Sequence, residues 1–533
     1  MKKIRLFSVI AAAGSALCIL PHNSYGISIE ERLEAMEKKI QGLESKLEKS
    51  EEENAKLRKQ VEAQAAAKPV TEPGVARETS KDIQTLDRKI ATVDKKMETQ
   101  KAATAEAAKK ASKLELSGYG VTFKSADDNY KLSLRGYMQA DGHFFVDHDP
   151  PGSFNDQFLL RRVRLSLDGT LFKYVYFRVS PDFAGSQTRL FDAFADLHYL
   201  TAASLAVGKM REPVSLERMQ TAPHLTFIER AYPAVDVSPN RDVGLMLHGI
   251  VPYPGYTAEY TSQPTFKDFF LYEVGLFNGV RDNQAVQNSD LEVDNNKEVA
   301  ARLFAHPFLH SGNPALEGLG LGIAGTYGQP KNNNQPSLVG PGQNTIVSFA
   351  SNNQFASGES YRIYPQMYWY WGPFGLLGEY VMSSQQMLGT TAAKQTASAR
   401  MRNGAWQTQL SYVLTGEKAS FFGVKPDKIF DPFAGTWGAL QAAARWTELD
   451  LGDGIYQNFG TVATPNYVFA NPTQSVSHAS TWSLGLNWFL NNNLKLMANY
   501  DQTSFQGGRA GPGGSILDRA MEKVFMTRLQ VQF

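Results

Sequence analysis

The sequence predicts an all-β membrane protein, in which an antiparallel transmembrane β-barrel over residues 114–533 follows an α-helical coiled coil over residues 27–113. Beyond residue 26 no run of 18 apolar residues occurs, which argues against a membrane-spanning helix. Polar and apolar residues alternate from residue 114 onward, whereas residues 27–64 follow a heptad pattern. Because a transmembrane barrel alternates lipid-facing and lumen-facing side chains, its overall composition resembles that of a soluble protein. A hydrophobic content of 42% is compatible with this class.

The first 26 residues predict a secretory signal peptide. Lys2, Lys3 and Arg5 precede an almost continuous apolar stretch over residues 6–20, and small residues stand before the expected cleavage point. A membrane anchor is the alternative, but the apolar stretch is short for a span. The single cysteine, Cys18, lies within this stretch, so the processed chain would contain no thiol. That suits a protein exported through an oxidising compartment.

Residues 27–64 predict a coiled coil, because apolar residues recur at alternating spacings of four and three and form one seam on a helix. The seam comprises Ile29, Leu33, Met36, Ile40, Leu43 and Leu47, and it continues in the same frame through Ser50, Asn54, Leu57 and Val61. Asn54 falls on an a position, where a buried amide favours one register or oligomeric state. A single solvated helix is the alternative.

A break in the helical pattern is expected at residues 65–79, which contain Pro69, Pro73 and Gly74. A second and weaker heptad run follows, and its helical pattern ends near Lys113. This run is formed by Ile83, Leu86, Ile90, Val93 and Met97.

Segments with two-residue periodicity predict the strands of the barrel. In one of them, Arg162 and Arg164 alternate with Val163 and Leu165. The apolar set must face lipid, because a charged side chain at the bilayer midplane costs roughly 2–4 kcal/mol, so both arginines should face the lumen. Such segments occur near residues 130–141, 162–172, 173–182, 189–199, 243–249, 269–277, 298–306, 319–328, 359–370, 374–383, 404–414, 437–447, 480–490, 494–502 and 525–533. A soluble β-sandwich array is the alternative.

Two aromatic features indicate where this barrel would lie. The aromatic cluster at residues 368–371 fits a girdle at a membrane interface. In the last segment, Phe525, Leu529 and Phe533 belong to an apolar set that alternates with polar residues such as Arg528. A terminal amphipathic strand that ends in phenylalanine is typical of outer-membrane barrels. The predicted location is therefore the outer membrane, surrounded by its lipid, with the coiled coil in the periplasm.

Positive charge is concentrated in one part of the predicted barrel. Residues 161–241 contain eleven Lys and Arg against eight Asp and Glu, whereas the rest of residues 115–533 contains 21 against 28. A cationic patch in a water-filled tube concentrates anions, and the planar fork of arginine suits phosphate. Ordinary salt bridges along the lumen wall are the alternative. The segment 210–242 is long enough to fold into the lumen, where its arginines and glutamates could satisfy its backbone.

The candidate anion-binding residues of the pore share a predicted lumen-facing or loop position in or near this cationic stretch. They are Arg135, Arg162, Arg164, Arg178, Lys209, Arg211, Arg218, Arg230 and Arg241.

The sequence contains no spacing typical of a catalytic nucleophile with its base, and its nine histidines are scattered. We therefore expect neither an enzyme nor a protein that needs a cofactor or a metal. Without residues 1–26 the chain has 51 Lys and Arg against 53 Asp and Glu, a balance that gives no reason to expect a nucleic acid partner.

Several short motifs, taken together and in order, resemble the phosphate-selective porin O and P family over roughly residues 115–533. They include Leu134-Arg135-Gly136-Tyr137, Phe158-Leu159-Leu160-Arg161-Arg162-Val163-Arg164, Gly208-Lys209-Met210-Arg211-Glu212-Pro213, Leu216-Glu217-Arg218, Phe227-Ile228-Glu229-Arg230, Asn240-Arg241-Asp242-Val243-Gly244, Leu414-Thr415-Gly416-Glu417 and Ala444-Arg445-Trp446.

The resemblance implies a homotrimer of 16-stranded barrels, each a separate pore that conducts anions past lumen arginines and an inward-folded loop. A three-stranded coiled coil would match three barrels. The expected function is passive diffusion of anions, phosphate or polyphosphate first. A general, non-specific porin is one alternative. A structural tether, in which the coiled coil contacts the cell wall and the barrel serves as the anchor, is another.

Overall fold

The computed structural model describes residues 75–110, 112–146, 155–255, 268–286, 294–331, 334–349, 354–391 and 393–533, with isolated helical positions between 45 and 63. The predicted signal peptide and the seam of the first coiled coil lie outside the described residues. The chain divides into two compact units, residues 1–111 and residues 112–533.

In the described part of the second unit, sixteen antiparallel strands form a closed barrel, as expected. They are β1 Lys131–Val146, β2 Gln157–Leu171, β3 Val175–Asp182, β4 Arg189–Leu200, β5 Ala203–Arg211, β6 Arg241–Val251, β7 Phe270–Phe277, β8 Glu298–Ala305, β9 Leu319–Gly328, β10 Gln354–Trp371, β11 Phe374–Thr390, β12 Thr396–Val413, β13 Ala439–Leu451, β14 Val476–Phe489, β15 Leu494–Ala510 and β16 Glu522–Gln532.

The barrel is closed by pairing between its first and last strands. Residues of β16 pair with β1 from Lys523 opposite Val146 to Gln532 opposite Tyr137. An N-terminal hairpin, Lys113–Ser117 with Gly120–Lys124, then pairs with the beginning of β1 where β16 has ended. Closure leaves no free edge among the sixteen strands, which is a requirement for a sheet in a membrane.

Side chains alternate between the two faces of the barrel wall. On β2 the arginines Arg162 and Arg164 are buried, whereas Leu165 and Leu167 are exposed on the outer surface. An outer face of this kind suits contact with lipid, and it follows directly from the two-residue period of the sequence.

One strand, β5, was missed by the sequence prediction. Its inward-facing positions carry Ser204, Ala206 and Gly208, so the contrast between its two faces is small. Other predicted segments were too short at one end. Strand β12, for example, begins at Thr396, whereas the predicted segment began at residue 404.

The aromatic cluster at the end of β10 is divided between the two faces. Trp371 is half exposed on the outside and stacks with Trp369, which fits the predicted girdle. Tyr368 is buried and contacts Phe304 and Phe421 instead. The girdle prediction was therefore wrong for Tyr368, because alternation turns it inward.

The first unit contains a long helix, α1 Val75–Lys110. The break predicted at residues 65–79 is therefore wrong for residues 75–79, which are helical, and its earlier part lies outside the described residues. Along α1 the second heptad run places Ile90, Val93 and Met97 at half-buried positions between exposed ones. Among the residues that the structure describes, no helix is both long and apolar enough to cross a membrane.

Candidate pore constriction

The segment between β5 and β6, residues 212–240, folds into the barrel lumen; we call it the constriction loop. It contains two short helices, α2 Leu216–Met219 and α3 Tyr232–Val235, with a 3-10 turn at Ala222–His224. Ser215 caps α2 by accepting the N–H of Arg218 at 3.2 Å. The loop is among the most deeply buried parts of the chain, and Leu216 and Ile228 have no exposed surface.

Polar groups on the opposite wall satisfy the backbone of this loop. The Glu379 carboxylate accepts the N–H groups of Leu216 and Glu217 at the start of α2, at 2.7 and 3.3 Å. Lys495 Nζ donates to the carbonyl oxygen of Leu225 at 2.9 Å. Such partners are required because a backbone group buried without a hydrogen bond costs roughly 1–3 kcal/mol.

Apolar packing fills the lumen on one side of the loop. Val214, Tyr232 and Val237 belong to a cluster that includes Leu338 and Ile346 from the connection between β9 and β10, together with wall residues of β9 to β15. The other side of the loop, which faces β2 to β6, is more open.

A cavity with about 770 Å³ of empty space lies on that open side; we call it the arginine cavity. Two carboxylates, Asp182 and Glu229, are among its lining groups. Its guanidinium groups are those of Arg161, Arg162, Arg164, Arg211, Arg218, Arg230 and Arg241. The cavity therefore has a large excess of positive charge.

The wall arginines reach the cavity through the geometry of their strands. Arg162 and Arg164 follow the inward alternation of β2. Arg161 is the extra residue of a β-bulge, since Gln139 pairs with Arg162 while Ala140 pairs with Leu160. A bulge re-aims a side chain, which is why an additional arginine faces the lumen here.

Four of the seven arginines have anionic partners. Arg161 donates to Glu229 at 2.6 Å, Arg164 to Asp182 at 2.7 Å, and Arg241 to Asp192 at 3.2 Å. Arg162 lies 3.8 Å from Glu229 and donates to the Gln139 side chain at 2.7 Å. The Arg164 guanidinium also lies 3.7 Å from the centre of the Phe191 ring, an arrangement that holds it in place.

The other three, Arg211, Arg218 and Arg230, have no carboxylate within 4 Å among the residues that the structure describes. Arg230 instead donates to the carbonyl oxygens of Glu217 and Gln220, at 3.2 and 2.7 Å. Arg211 donates to backbone carbonyls of α2 in the same way. These contacts fix the guanidinium groups without neutralising them.

Crowding of like charges is visible in the pKa values of the loop arginines. Burial and the neighbouring guanidinium groups of Arg230 and Arg241 lower the pKa of Arg218 to about 9. Burial also lowers the pKa of Arg230 to about 10, although Glu217 opposes the shift. An anion between these groups would relieve their repulsion and raise both pKa values again.

A sequence model of phosphate-selective porins O and P matches residues 132–533, which include every residue of the arginine cavity. The chain belongs to the phosphate-selective porin O and P family. It is accordingly an outer-membrane channel protein. No curated protein matches this porin.

Several solved structures are similar to this porin at low sequence identity. The anion-selective porin from Comamonas acidovorans is 10% identical, with 76% of this chain and 100% of that chain covered and a TM-score of 0.42. The trimer form of OmpT, an outer membrane protein of Vibrio cholerae, gives the same four values. OmpF of Salmonella typhi in complex with daunomycin is 13% identical, with 76% and 99% covered and a TM-score of 0.44.

The structure brings six of the nine predicted pore residues of this porin together in the arginine cavity and places three elsewhere. Arg178 lines a second cavity, adjacent to the first. Arg135 is partly exposed near the beginning of β1, with its guanidinium 4.0 Å from Asp168. Lys209 is buried on β5 and lines neither of these cavities.

Several further lumen cations of this porin were not predicted. Arg528 on β16 forms two 2.7 Å bonds with Asp141 and donates to the carbonyl oxygen of Ile228 at 2.8 Å. Arg445 on β13 donates to the carbonyl oxygen of Glu229 at 2.8 Å. The alternation of their strands could have predicted that both side chains face the lumen. Their contacts with the loop could not be predicted, because they join residues that are far apart in the sequence. In the described residues no cluster of His, Cys, Asp and Glu could hold a metal ion.

Proposed function

We propose that this porin is an anion-selective diffusion channel whose preferred solute is phosphate or polyphosphate. The observation that carries the proposal is the arginine cavity, where seven guanidinium groups face two carboxylates beside the constriction loop. In a confined lumen, a fixed excess of positive charge raises the local concentration of anions and repels cations.

The arrangement suits a tetrahedral oxyanion that moves in steps. Arg241 and Arg211 lie at the loop ends of β6 and β5, Arg218 and Arg230 lie on the loop, and Arg162 lies on the wall. Each guanidinium offers two parallel donors, so phosphate can exchange hydration water for one fork and then for the next. Conduction requires that each of these contacts be weak enough to release the ion, and the partial neutralisation by Asp182 and Glu229 favours such release.

The alternative interpretation of the positive charge is that the arginines form ordinary salt bridges along the wall. It applies to only part of the cavity. Arg161, Arg164 and Arg241 have close carboxylate partners. Arg211, Arg218 and Arg230 are held by backbone carbonyl oxygens instead, which leaves their charge available to a solute.

Reversal potential in asymmetric KCl tests the proposal. We expect the wild-type channel to favour chloride and to be blocked by added phosphate. Changing Arg211, Arg218 and Arg230 together to Glu should reverse or abolish the preference, because six units of charge change at the constriction.

The matched control makes the same charge change at Arg189, Arg402 and Arg509, which are exposed and lie outside the cavity. This variant should retain the preference for chloride. A wild-type channel that prefers potassium, or one indifferent to the first triple change, would show a general porin whose arginines are structural. Heat-modifiable migration in gels verifies that each variant has folded.

For the assembly, we propose a homotrimer in outer-membrane lipid, with the N-terminal coiled coil in the periplasm and able to contact the cell wall. Family membership supports the trimer. The half-buried stripe on α1 formed by Ile90, Val93 and Met97 supports helix packing in the N-terminal unit.

A further inference from the structure

A second lumen cavity adjoins the arginine cavity and has a different chemical character; we call it the methionine pocket. It contains about 820 Å³ of empty space, between β3 to β7 and the end of helix α2. Arg211 lines both cavities, and Asp192, which lines the methionine pocket, bonds to Arg241 of the arginine cavity. The two cavities therefore lie side by side and share the Arg211 side chain.

The wall of this pocket is largely apolar. Its apolar side chains come from four neighbouring strands and from the loop helix, and they include Phe194, Met210, Met219, Met246, Ile250 and Leu271. Methionine is flexible and polarisable, so a group of methionines adapts to apolar groups of different shapes.

The carboxylates of the pocket are already neutralised by neighbours. Asp196 lies 3.1 Å from His248 Nε2, and Glu273 bonds to Arg302 at 2.9 Å. Asp192 has its 3.2 Å bond to Arg241. These acids therefore give the pocket little attraction for a cation, whereas Arg178 and Arg211 favour an anion and the apolar side chains favour an apolar body.

The apolar side chains of this wall give an inorganic phosphate ion nothing, since they remove hydration water without supplying donors; the guanidinium groups of the pocket are those of Arg178 and Arg211. An anion with an apolar body gains from both cavities: its head is held by guanidinium groups and its body is removed from water.

We infer that this porin selects small organic anions, with a phosphate or carboxylate head at Arg211 and its neighbours and an apolar body in the methionine pocket. The inference rests on the proposed function, because it uses the arginine cavity as the head-group site. It goes further in assigning the solute class to the second cavity, which an inorganic ion does not use.

The test compares pairs of solutes that share a head group and differ in the body. Block of chloride current through the full-length porin in planar bilayers is measured at pH 7 with methyl phosphate and phenyl phosphate, and with acetate and benzoate. We expect the phenyl-bearing member of each pair to block at about tenfold lower concentration, as partial burial of a ring implies. The two pairs distinguish phosphate from carboxylate heads.

Variants place the effect in the pocket. Met219→Gln and Met246→Gln keep the side-chain length but make the wall polar, so they should remove most of the phenyl advantage while block by methyl phosphate is unchanged. Met521→Gln, at an exposed position outside the pocket, is the matched control and should behave as wild type.

The outcomes separate the two ideas. An anion-selective channel that binds phenyl and methyl phosphate equally, or whose phenyl advantage survives both substitutions, overturns the inference and leaves the proposed function standing. A channel without any anion preference in a KCl gradient overturns the proposed function itself.

Discussion

Two carboxylates of the constriction loop, Asp236 and Glu229, are almost equally buried but lie in opposite electrostatic surroundings. Burial raises the pKa of Asp236 to about 8, although the N–H of Val339 and the guanidinium of Arg218 oppose the shift. Burial also favours the neutral form of Glu229, but the guanidinium groups of Arg161 and Arg162 outweigh it and hold the pKa of Glu229 well below its usual range. The docking of the loop should therefore depend on pH through Asp236 near neutrality.

The sign of this dependence follows from where the proton binds. In the released loop Asp236 loses its proton above the ordinary aspartate pKa of about 4. In the docked loop the pKa of Asp236 is raised, so the carboxyl group keeps its proton to higher pH. The contribution of Asp236 to docking should therefore fall as pH rises toward about 8 and should change no further above that value. Between pH 6 and pH 7.5 the opening constant of the loop should rise about tenfold per pH unit.

Hydrogen exchange of the amides in residues 212–240, corrected for the intrinsic exchange rate, measures this opening. Asp236→Asn keeps the oxygen that accepts from Val339 at 2.8 Å and should remove the dependence between pH 6 and pH 8. Glu229→Gln is the control: the depressed pKa of Glu229 stabilises docking above its unfolded pKa, so its loss should weaken docking by a constant amount between pH 6 and pH 8 and change the pH slope only in acid. Equal slopes in wild type and Asp236→Asn would contradict the assignment.

At the residue scale, the sequence was sufficient where alternation alone determines whether a side chain faces the lumen or the lipid. Arg162 and Arg164 are an example, because their apolar neighbours must face lipid. Arg161 could not be assigned in this way, since a bulge breaks the alternation at that residue. The sequence also gave no means of deciding which arginines are neutralised, because the partner of Arg161, Glu229, lies 68 residues away along the chain.

At the scale of elements, the pairing of the first and last strands determines whether the barrel closes. Beyond the end of β16, Phe533 exchanges two 2.9 Å backbone hydrogen bonds with Gly136 on β1. A Cβ atom on Gly136 would lie 2.8 Å from the Phe533 ring and 2.9 Å from the Leu165 side chain. The absence of a side chain at Gly136 therefore provides the space for the phenylalanine ring.

This geometry predicts that Gly136→Val impairs assembly of the barrel. The valine would occupy the position of the Phe533 ring and push the final residues away from β1, so the folded fraction in outer membranes should fall severalfold. Phe533→Gly, which removes the ring, should have an effect in the same direction. The folded fraction is measured by heat-modifiable migration in gels.

The control is Gly404→Val, a glycine in β12 where an added Cβ would meet only the Tyr380 hydroxyl, at 3.5 Å. It should assemble as wild type does. If Gly136→Val assembled as well as Gly404→Val, contact at the closing seam would be irrelevant to assembly.

Among the elements, the strands with strong contrast between their faces were predictable, and β5 was not, because its inward residues are small. The long segment between β5 and β6 was recognisable from its length and its prolines. Its path across the lumen depends on distant wall groups such as Glu379 and Lys495, which no local pattern reveals.

At the scale of the whole molecule, both cavities belong to one of the two compact units of the chain. The groups of the arginine cavity and the methionine pocket all lie between residues 161 and 343, within the barrel unit. The apolar cluster around Tyr232 and Val237 fills part of the lumen, and the arginine cavity lies on another side of the constriction loop. Selectivity should therefore be a property of the barrel unit alone.

Deleting residues 27–111 tests this expectation. The variant retains residues 1–26 for export and residues 112–533, which form the second compact unit and contain the closed barrel. We expect its single-channel conductance and its reversal potential in asymmetric KCl to equal those of the full-length porin, because every cavity residue is retained. Trimers should also persist in mild detergent if contacts between barrels dominate assembly, and chemical crosslinking measures their fraction. A changed reversal potential would show that the N-terminal unit contributes to the ion pathway, whereas monomeric barrels with unchanged selectivity would assign assembly to the coiled coil.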